Sequence, residues 1–219
     1  MIHNSVNKLI FIQDSIKDKL NIANYLTIIA VSKKFKVSEI TPLINHGHKH
    51  FGENQVQEAL EKWTDIKNDF QDIKLHMVGK LQTNKVKYAV NIFDYIHSLD
   101  NYKLAEKITS EQNKIGKKIK IFIQVNIGNE TQKNGIDIEN LEKFYKECVN
   151  NLELDIIGLM CLPPNDKGSV SYFSKMRDLS QDLGLNELSM GMSNDYLEAI
   201  EEGSSFVRIG SKIFGERPR

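Results

Sequence analysis

Two cysteines, four prolines and one tryptophan in 219 residues leave this chain with few of the residues that staple or punctuate small folds. Cys148 and Cys161 form no C-x-x-C pair, and a chain of this length can bury enough core to fold without a disulfide, so both read as reduced structural thiols. Net charge is also absent. The 29 Lys plus Arg balance 29 Asp plus Glu, which excludes a global field drawing the protein to nucleic acid or anionic lipid. Any anion it binds must be held locally. No apolar run reaches the roughly 20 residues that cross a bilayer, and Gln13 and Asp14 interrupt the apolar start, so neither a membrane partner nor a secretory signal is expected. These absences predict a cytoplasmic protein. Also missing are a P-loop and a Gly-x-Gly-x-x-Gly dinucleotide fingerprint. His46, His48 and His50 suggest a zinc set only superficially, because Gly47 and the onset of a strand spread them and no nearby carboxylate or cysteine completes the shell. No metal is expected. Lys117, Lys118 and Lys120 read as a solvated entry to a strand.

What the chain does have is alternation. Val6, Leu9, Ile10, Ile16 and Leu20 recur at helical spacing, so residues 1–22 read as an amphipathic N-terminal helix that packs on the rest. Apolar, β-rich runs then occur at 26–31, 50–51, 74–78, 92–97, 119–126, 154–159, 187–190 and 205–209. Helical patterns separate them at 38–45, 54–67, 101–113, 139–149, 170–183 and 194–201. Strict β-then-α order implies parallel strands buried on both faces. Eight such units predict an α/β fold of the (β/α)8 TIM-barrel type, where an open doubly wound sheet would more often stop at five or six strands. No Ser/Gly/Pro-rich linker divides residues 1–219, which read as a single domain. Pro163-Pro164 with Asn165, Asp166 and Gly168 reads as one long loop on the face where barrel active sites are built.

Lys33 follows the first strand in Ala30-Val31-Ser32-Lys33, at the carboxyl end of a barrel strand. A lysine in an apolar barrel mouth has its charged form disfavoured, which makes available the free amine that attacks an aldehyde; the plainer reading is a lysine solvating a loop. Gly191-Met192-Ser193-Asn194 after the seventh strand and Gly210-Ser211 after the eighth both turn into helices. Small residues there let backbone N–H groups approach an anion and serine hydroxyls donate to it, at the place where barrels often hold phosphate. Ser193 as a simple helix cap and the glycines as simple turns is the alternative. Arg208 ends the eighth strand within Val207-Arg208-Ile209-Gly210, where an ordinary salt bridge would also suit it.

Taken together, Ala30-Val31-Ser32-Lys33, Phe51-Gly52-Glu53-Asn54 with Gln57-Glu58, His76-Met77-Val78-Gly79 with Leu81-Gln82 and Asn84-Lys85, Gly158-Leu159-Met160, Ser189-Met190-Gly191-Met192-Ser193 and Val207-Arg208-Ile209-Gly210 through Ile213-Phe214-Gly215 resemble the YggS/PROSC pyridoxal phosphate homeostasis proteins over nearly the whole chain. The resemblance implies a barrel like the N-terminal domain of alanine racemase. It implies pyridoxal 5′-phosphate as cofactor, with Lys33 as the Schiff-base lysine and Asn54, Ser193, Arg208, Gly210 and Ser211 around it. Ser193, Gly210 and Ser211 would hold the phosphate, and His76, at the end of the third strand, would lie near the ring. Arg208 would meet either the phosphate or the pyridine nitrogen. One departure is Lys34, where family members often have threonine; alternation at the strand end is expected to turn Lys33 and Lys34 to opposite sides.

The expected role is that of a non-catalytic handler, with no catalytic residues, that holds the cofactor reversibly and supplies PLP-dependent apo-enzymes as a monomer. The rival reading is a PLP-dependent racemase or decarboxylase on the same barrel. Racemisation needs a second positioned acid–base group, and only Lys212 to Arg219 remain after the eighth unit to build a lid or a further base.

Overall fold

The computed structural model describes residues 2–20, 26–130, 134–164 and 168–216, the side chains of residues 19 and 20 excepted. Eight strands in chain order close into a barrel: β1 (Thr27–Val31), β2 (His50–Glu53), β3 (Lys74–Met77), β4 (Tyr95–Leu99), β5 (Lys120–Val125), β6 (Asp155–Cys161), β7 (Glu187–Met192) and β8 (Phe206–Ile209). Every pairing is parallel. Closure is made by β8 on β1, with Ile29 opposite Arg208 and Ala30 opposite Ile209. The helices are α1 (Asn4–Leu20), α2 (Val37–Asn45), α3 (Val56–Asp69), α4 (Val86–Ile92), α5 (Tyr102–Ile115), α6 (Ile138–Lys146), α7 (Ser169–Asp182), α8 (Tyr196–Glu201) and α9 (Ser211–Phe214).

The TIM-barrel expectation therefore holds, and the differences lie at element ends. The predicted strand at 92–97 begins only at Tyr95, because Ile92 closes a helix that the periodicity did not reveal. At seven residues α4 spans less than two turns, too short for its buried Val86, Ala89, Val90 and Ile92 and its exposed Lys87, Tyr88 and Asn91 to stand out as a period. Strand β2 runs on through Gly52 and Glu53, residues that rarely signal a strand interior. An added Cβ at Gly52 would come within 2.8 Å of Ile29 Cγ2, so glycine is what lets β1 and β2 lie together here. On α1 the buried stripe is Val6, Leu9, Ile12 and Ile16, with Ile10 only partly buried, and the helix packs against α2 and α9. Residues 21 and 22 of the predicted first helix, and Asn165 and Asp166 of the predicted loop, lie outside the described residues.

Two cores result. The larger lies between barrel and helices. A smaller one fills the barrel itself with Ile29, Val31, Val78, Phe122, Met160 and Phe206. Barrel interiors are ordinarily filled by branched aliphatic side chains. This one adds rings, with His97 stacked on Phe122 at 4.4 Å, His76 on Tyr95 at 4.2 Å, and Phe122 edge-on to Phe206 at 5.2 Å.

Burying these imidazoles links stability to pH. Burial pushes His48 down to about 4 and lowers His50, while His76 and His97 are held well below their ordinary value, again by burial first and then by neighbouring histidines and Arg208 respectively. The unfolded chain takes up protons below about pH 6.5 that the native state refuses, so stability is full above that value and declines as pH falls toward 4, by about 1.4 kcal/mol per pH unit for each net proton. Glu53, raised by burial, opposes this with a single proton. Urea unfolding between pH 7.5 and pH 5 is expected to show a loss corresponding to more than one proton, and a midpoint unchanged over that interval would contradict it.

Candidate functional site

At the carboxyl ends of the strands lies a cavity of about 820 Å³. Lys33, Asn54, Ser193, Arg208, Gly210 and Ser211 all line it, so residues far apart in the chain meet because β1, β2, β7 and β8 are consecutive around the barrel. Val31, Phe35 and Val78 give it apolar wall, and the half-exposed Leu162 and Met192 stand at its mouth.

Lys33 is positioned by a clamp. Ser32 N donates to Gly52 O at 2.9 Å, Ser32 Oγ donates to Glu53 Oε1 at 2.7 Å, and Phe35 N returns to Ser32 O at 3.1 Å, closing a tight turn over Lys33 and Lys34. From α3, Lys62 Nζ donates to Ser32 O at 2.9 Å and meets Glu53 Oε1 at 2.6 Å; Trp63 Nε1 donates to the same oxygen at 2.9 Å. Glu58 Oε1 accepts from Lys34 N at 2.5 Å. Lys34 pays for the turn with a left-handed backbone, φ +66°, and its exposed side chain is not among the cavity's walls. The two lysines diverge because of this turn, which ends the simple alternation of a strand. Glu53 has no solvent exposure. Burial raises its carboxyl, and the Lys62 ammonium with the Trp63 and Ser32 donors opposes that rise.

Asn54 sits one residue beyond β2, pressed against Gly79; an added Cβ at Gly79 would fall 2.4 Å from Asn54 O. Its Oδ1 is buried and has no hydrogen-bond partner among the described residues. Buried polar atoms are nearly always satisfied, so an orphan in a cavity wall points to a ligand. Gly191 makes the turn out of β7 at φ +88°, where a Cβ would lie 2.5 Å from Ala199 Cβ, and so delivers Ser193 to the rim. Ser193 Oγ accepts from Lys212 N at 3.4 Å, joining the two rim segments. At Gly210 the nearest neighbours of an added Cβ would be Val31 O at 3.4 Å and Val31 Cβ at 3.6 Å, ordinary contacts, so the protein itself leaves space there beside the cavity. Phe35 stacks on Phe214 at 4.9 Å and ties the turn after β1 to α9.

Arg208 is buried at 5 % exposure, and its guanidinium donates to neutral oxygens: Nη1 to Ser189 O at 2.6 Å and Ser189 Oγ at 2.7 Å, Nη2 to Cys161 O at 2.8 Å. Burial pushes its pKa below the usual arginine value. No carboxylate is among these partners, and Asp195, also in the wall, acts on Arg208 through its charge without a hydrogen bond, so the cation borders the cavity with no anion bonded to it. That arrangement suits an anionic ligand.

His76 is not among the walls. It is the third residue of β3, fully buried, with its ring on Tyr95 and its nitrogens 3.0 Å from His50 Nδ1 and 2.9 Å from His97 Nε2. It sits inside the barrel below the cavity, because the strand continues to Met77 and the chain past Val78 before reaching the mouth. His46, His48 and His50 line a separate cavity of about 470 Å³ with Leu9 and Ile16 of α1. Glu53, Lys62, Trp63, Ser189 and His97 are the residues around the site that sequence reasoning missed. A usable signal was Glu53, a charge inside a buried strand, which requires a partner.

A closed eight-stranded barrel with a clamped lysine and a buried arginine at one cavity belongs with the α/β barrels that carry their functional groups at the carboxyl ends of the strands. The family model described as alanine racemase, N-terminal domain, matches residues 14–218. The chain is 39 % identical over 203 residues to the pyridoxal phosphate homeostasis protein of Aquifex aeolicus, covering 89 % of this chain and 88 % of that one, and 31 % identical to its Escherichia coli counterpart, covering 88 % and 86 %. PipY of Synechococcus elongatus, solved with PLP bound, superposes with a TM-score of 0.84 at 32 % identity, covering 96 % of this chain and all of that one. An alanine racemase of Clostridium difficile shares the fold, with a TM-score of 0.75 at 16 % identity, covering 99 % of this chain and 57 % of that one. The chain belongs to the alanine racemase N-terminal domain family and, within it, to the pyridoxal phosphate homeostasis proteins.

The clamp yields a test. Lys62→Met leaves Glu53 buried without its counter-charge and is expected to destabilise the fold by roughly 3 kcal/mol. The double variant Lys62→Met with Glu53→Gln, which removes the orphaned charge, recovers part of that in urea unfolding. A single variant no less stable than the double would show that the pair does not hold the turn.

Proposed function

We propose that this chain binds pyridoxal 5′-phosphate through Lys33 and keeps it in reversible, deliverable form. The observation that carries the reading is that Lys33 and the uncompensated Arg208 line one cavity together with an orphaned buried amide oxygen on Asn54. The names of the relatives and the PLP bound to PipY support the same ligand. The bound cofactor supplies an aldehyde that a primary amine captures reversibly as a Schiff base. Lys33 provides that amine from a turn whose backbone Ser32, Glu53 and Lys62 hold in place. Ser193, Gly210 and Ser211 offer the phosphate a hydroxyl and backbone rim, with modest help from the short helices behind them. Arg208 adds a charge that either the phosphate or the ring nitrogen can use. Asn54 presents an amide to a polar substituent.

A handler suits this wall better than a racemase. Deprotonating and reprotonating a bound amino acid on opposite faces takes two acid–base groups; besides Lys33 the described lining residues offer the carboxylates Asp195 and Glu216 and no tyrosine, histidine or cysteine. The acceptors in this reading are apo-enzymes that require the cofactor, served by a monomer in the cytoplasm. Among the described residues no helix is long and apolar enough to cross a membrane.

The purified protein mixed with pyridoxal phosphate is expected to develop the visible absorption of an imine, and Lys33→Ala to lose it. Arg208→Ala should weaken retention on dialysis by roughly 10-fold or more, as loss of a charge-assisted contact does, and Ser193→Ala by a few-fold, with circular dichroism unchanged. If both variants retain the cofactor as the parent does, the phosphate grip lies elsewhere. Robust steady-state turnover of any amino acid would overturn the handler reading.

A further inference from the structure

A file of polar side chains runs through the barrel away from the cavity, and the proposed function uses only its first member. Arg208 Nη1 donates to Ser189 Oγ at 2.7 Å; Ser189 Oγ lies 2.8 Å from His97 Nδ1; His97 Nε2 lies 2.9 Å from His76 Nδ1; His76 Nε2 lies 3.0 Å from His50 Nδ1. Ser189, His97 and His76 have no solvent exposure, and His50, first residue of β2, is half-buried at the amino-terminal end of the barrel.

Counting protons gives the file the one sense in which the buried Ser189 hydroxyl hydrogen finds an acceptor. A guanidinium only donates, so Ser189 Oγ is the acceptor toward Arg208, and the hydroxyl's own hydrogen is left for its other contact, His97 Nδ1. A neutral imidazole carries one N–H. His97, accepting at Nδ1, therefore bears its hydrogen on Nε2 and donates to His76 Nδ1; by the same step His76 donates from Nε2 to His50 Nδ1, and His50 carries its hydrogen on Nε2. Each link then holds one hydrogen. Burial keeps His76 and His97 uncharged, in agreement with this count. The file is no proton conduit into the cavity, because it ends on arginine, which cannot accept a proton. A carboxylate would be the simpler anchor for a buried arginine, but it would also cancel the charge.

We propose that Ser189, His97, His76 and His50 are positioning residues that anchor Arg208 through neutral hydrogen bonds alone, leaving its charge free of a bonded anion and available to the molecule bound in the cavity. The inference rests on the cofactor reading of that cavity for its consequence, but its geometry can be read without any ligand.

Nitrogen-15 NMR of the histidine-labelled protein reads the file directly. The expected result is a bare Nδ1 and a protonated Nε2 on His97, His76 and His50, the same before and after addition of pyridoxal phosphate. A hydrogen on His97 Nδ1, or a charged His97 at neutral pH, overturns the proposal whether or not any variant folds. Retention of pyridoxal phosphate then separates anchoring from charge. Ser189→Thr keeps the hydroxyl and should hold the cofactor as the parent does; Ser189→Ala should lose a few-fold; Ser189→Asp, which still accepts from Arg208 but neutralises it, should lose roughly 10-fold or more. Equal retention by the aspartate and threonine variants would show that the neutrality of the anchor does not matter. If the parent protein forms no Lys33 adduct, the cofactor reading fails, while the NMR result still decides the file.

Discussion

The pairing of β8 with β1 is the contact on which the rest depends. Until Ile29 lies opposite Arg208 and Ala30 opposite Ile209, Lys33 and Arg208 belong to opposite ends of the chain. Once the ring closes, the lysine turn and the Ser211 rim stand on adjoining strands, and Phe35 on Phe214 links the segments that follow them. Closing a loop of this length carries an entropic cost that grows only slowly with length, and the buried β-branched residues of β1 and β8 offset it.

Around that seam the protein treats charge in two opposite ways. Glu53 is buried but compensated, with Lys62, Trp63 and Ser32 all converging on one of its oxygens, and the result is a fixed backbone under Lys33. Arg208 is buried and anchored only by carbonyls and a hydroxyl. A compensated charge serves rigidity, whereas an uncompensated one is costly and is stabilised most when an anion arrives. The first device holds the turn that carries Lys33 from behind the cavity wall, and Arg208 borders the cavity from β8 on the other side of β1, so the lysine is held still while the cation awaits its partner.

The architecture was legible because parallel strands buried on both faces read as continuous apolar runs, and those at 26–31, 119–126 and 205–209 coincide with β1, β5 and β8 to within a residue. Where polar or flexible residues enter a strand the signal fades, as at Gly52 and Glu53; where a helix is as short as α4, its amphipathic period spans too few residues to be found. Site residues at strand ends were readable for the same reason that barrels place function there. The depth of His76 was not legible, because depth along the barrel axis depends on register and strand length, neither of which local pattern encodes. Ser189 and His97 escaped notice because their meaning lies in contacts across the barrel, 92 residues apart in sequence.

Reductive trapping tests the central claim most directly. The protein is incubated with pyridoxal phosphate, reduced with borohydride, digested and mapped by mass. A single stable adduct on Lys33 is the predicted result. An adduct confined to Lys34 or to a lysine outside the carboxyl-end cavity, or no adduct at all, would contradict the account.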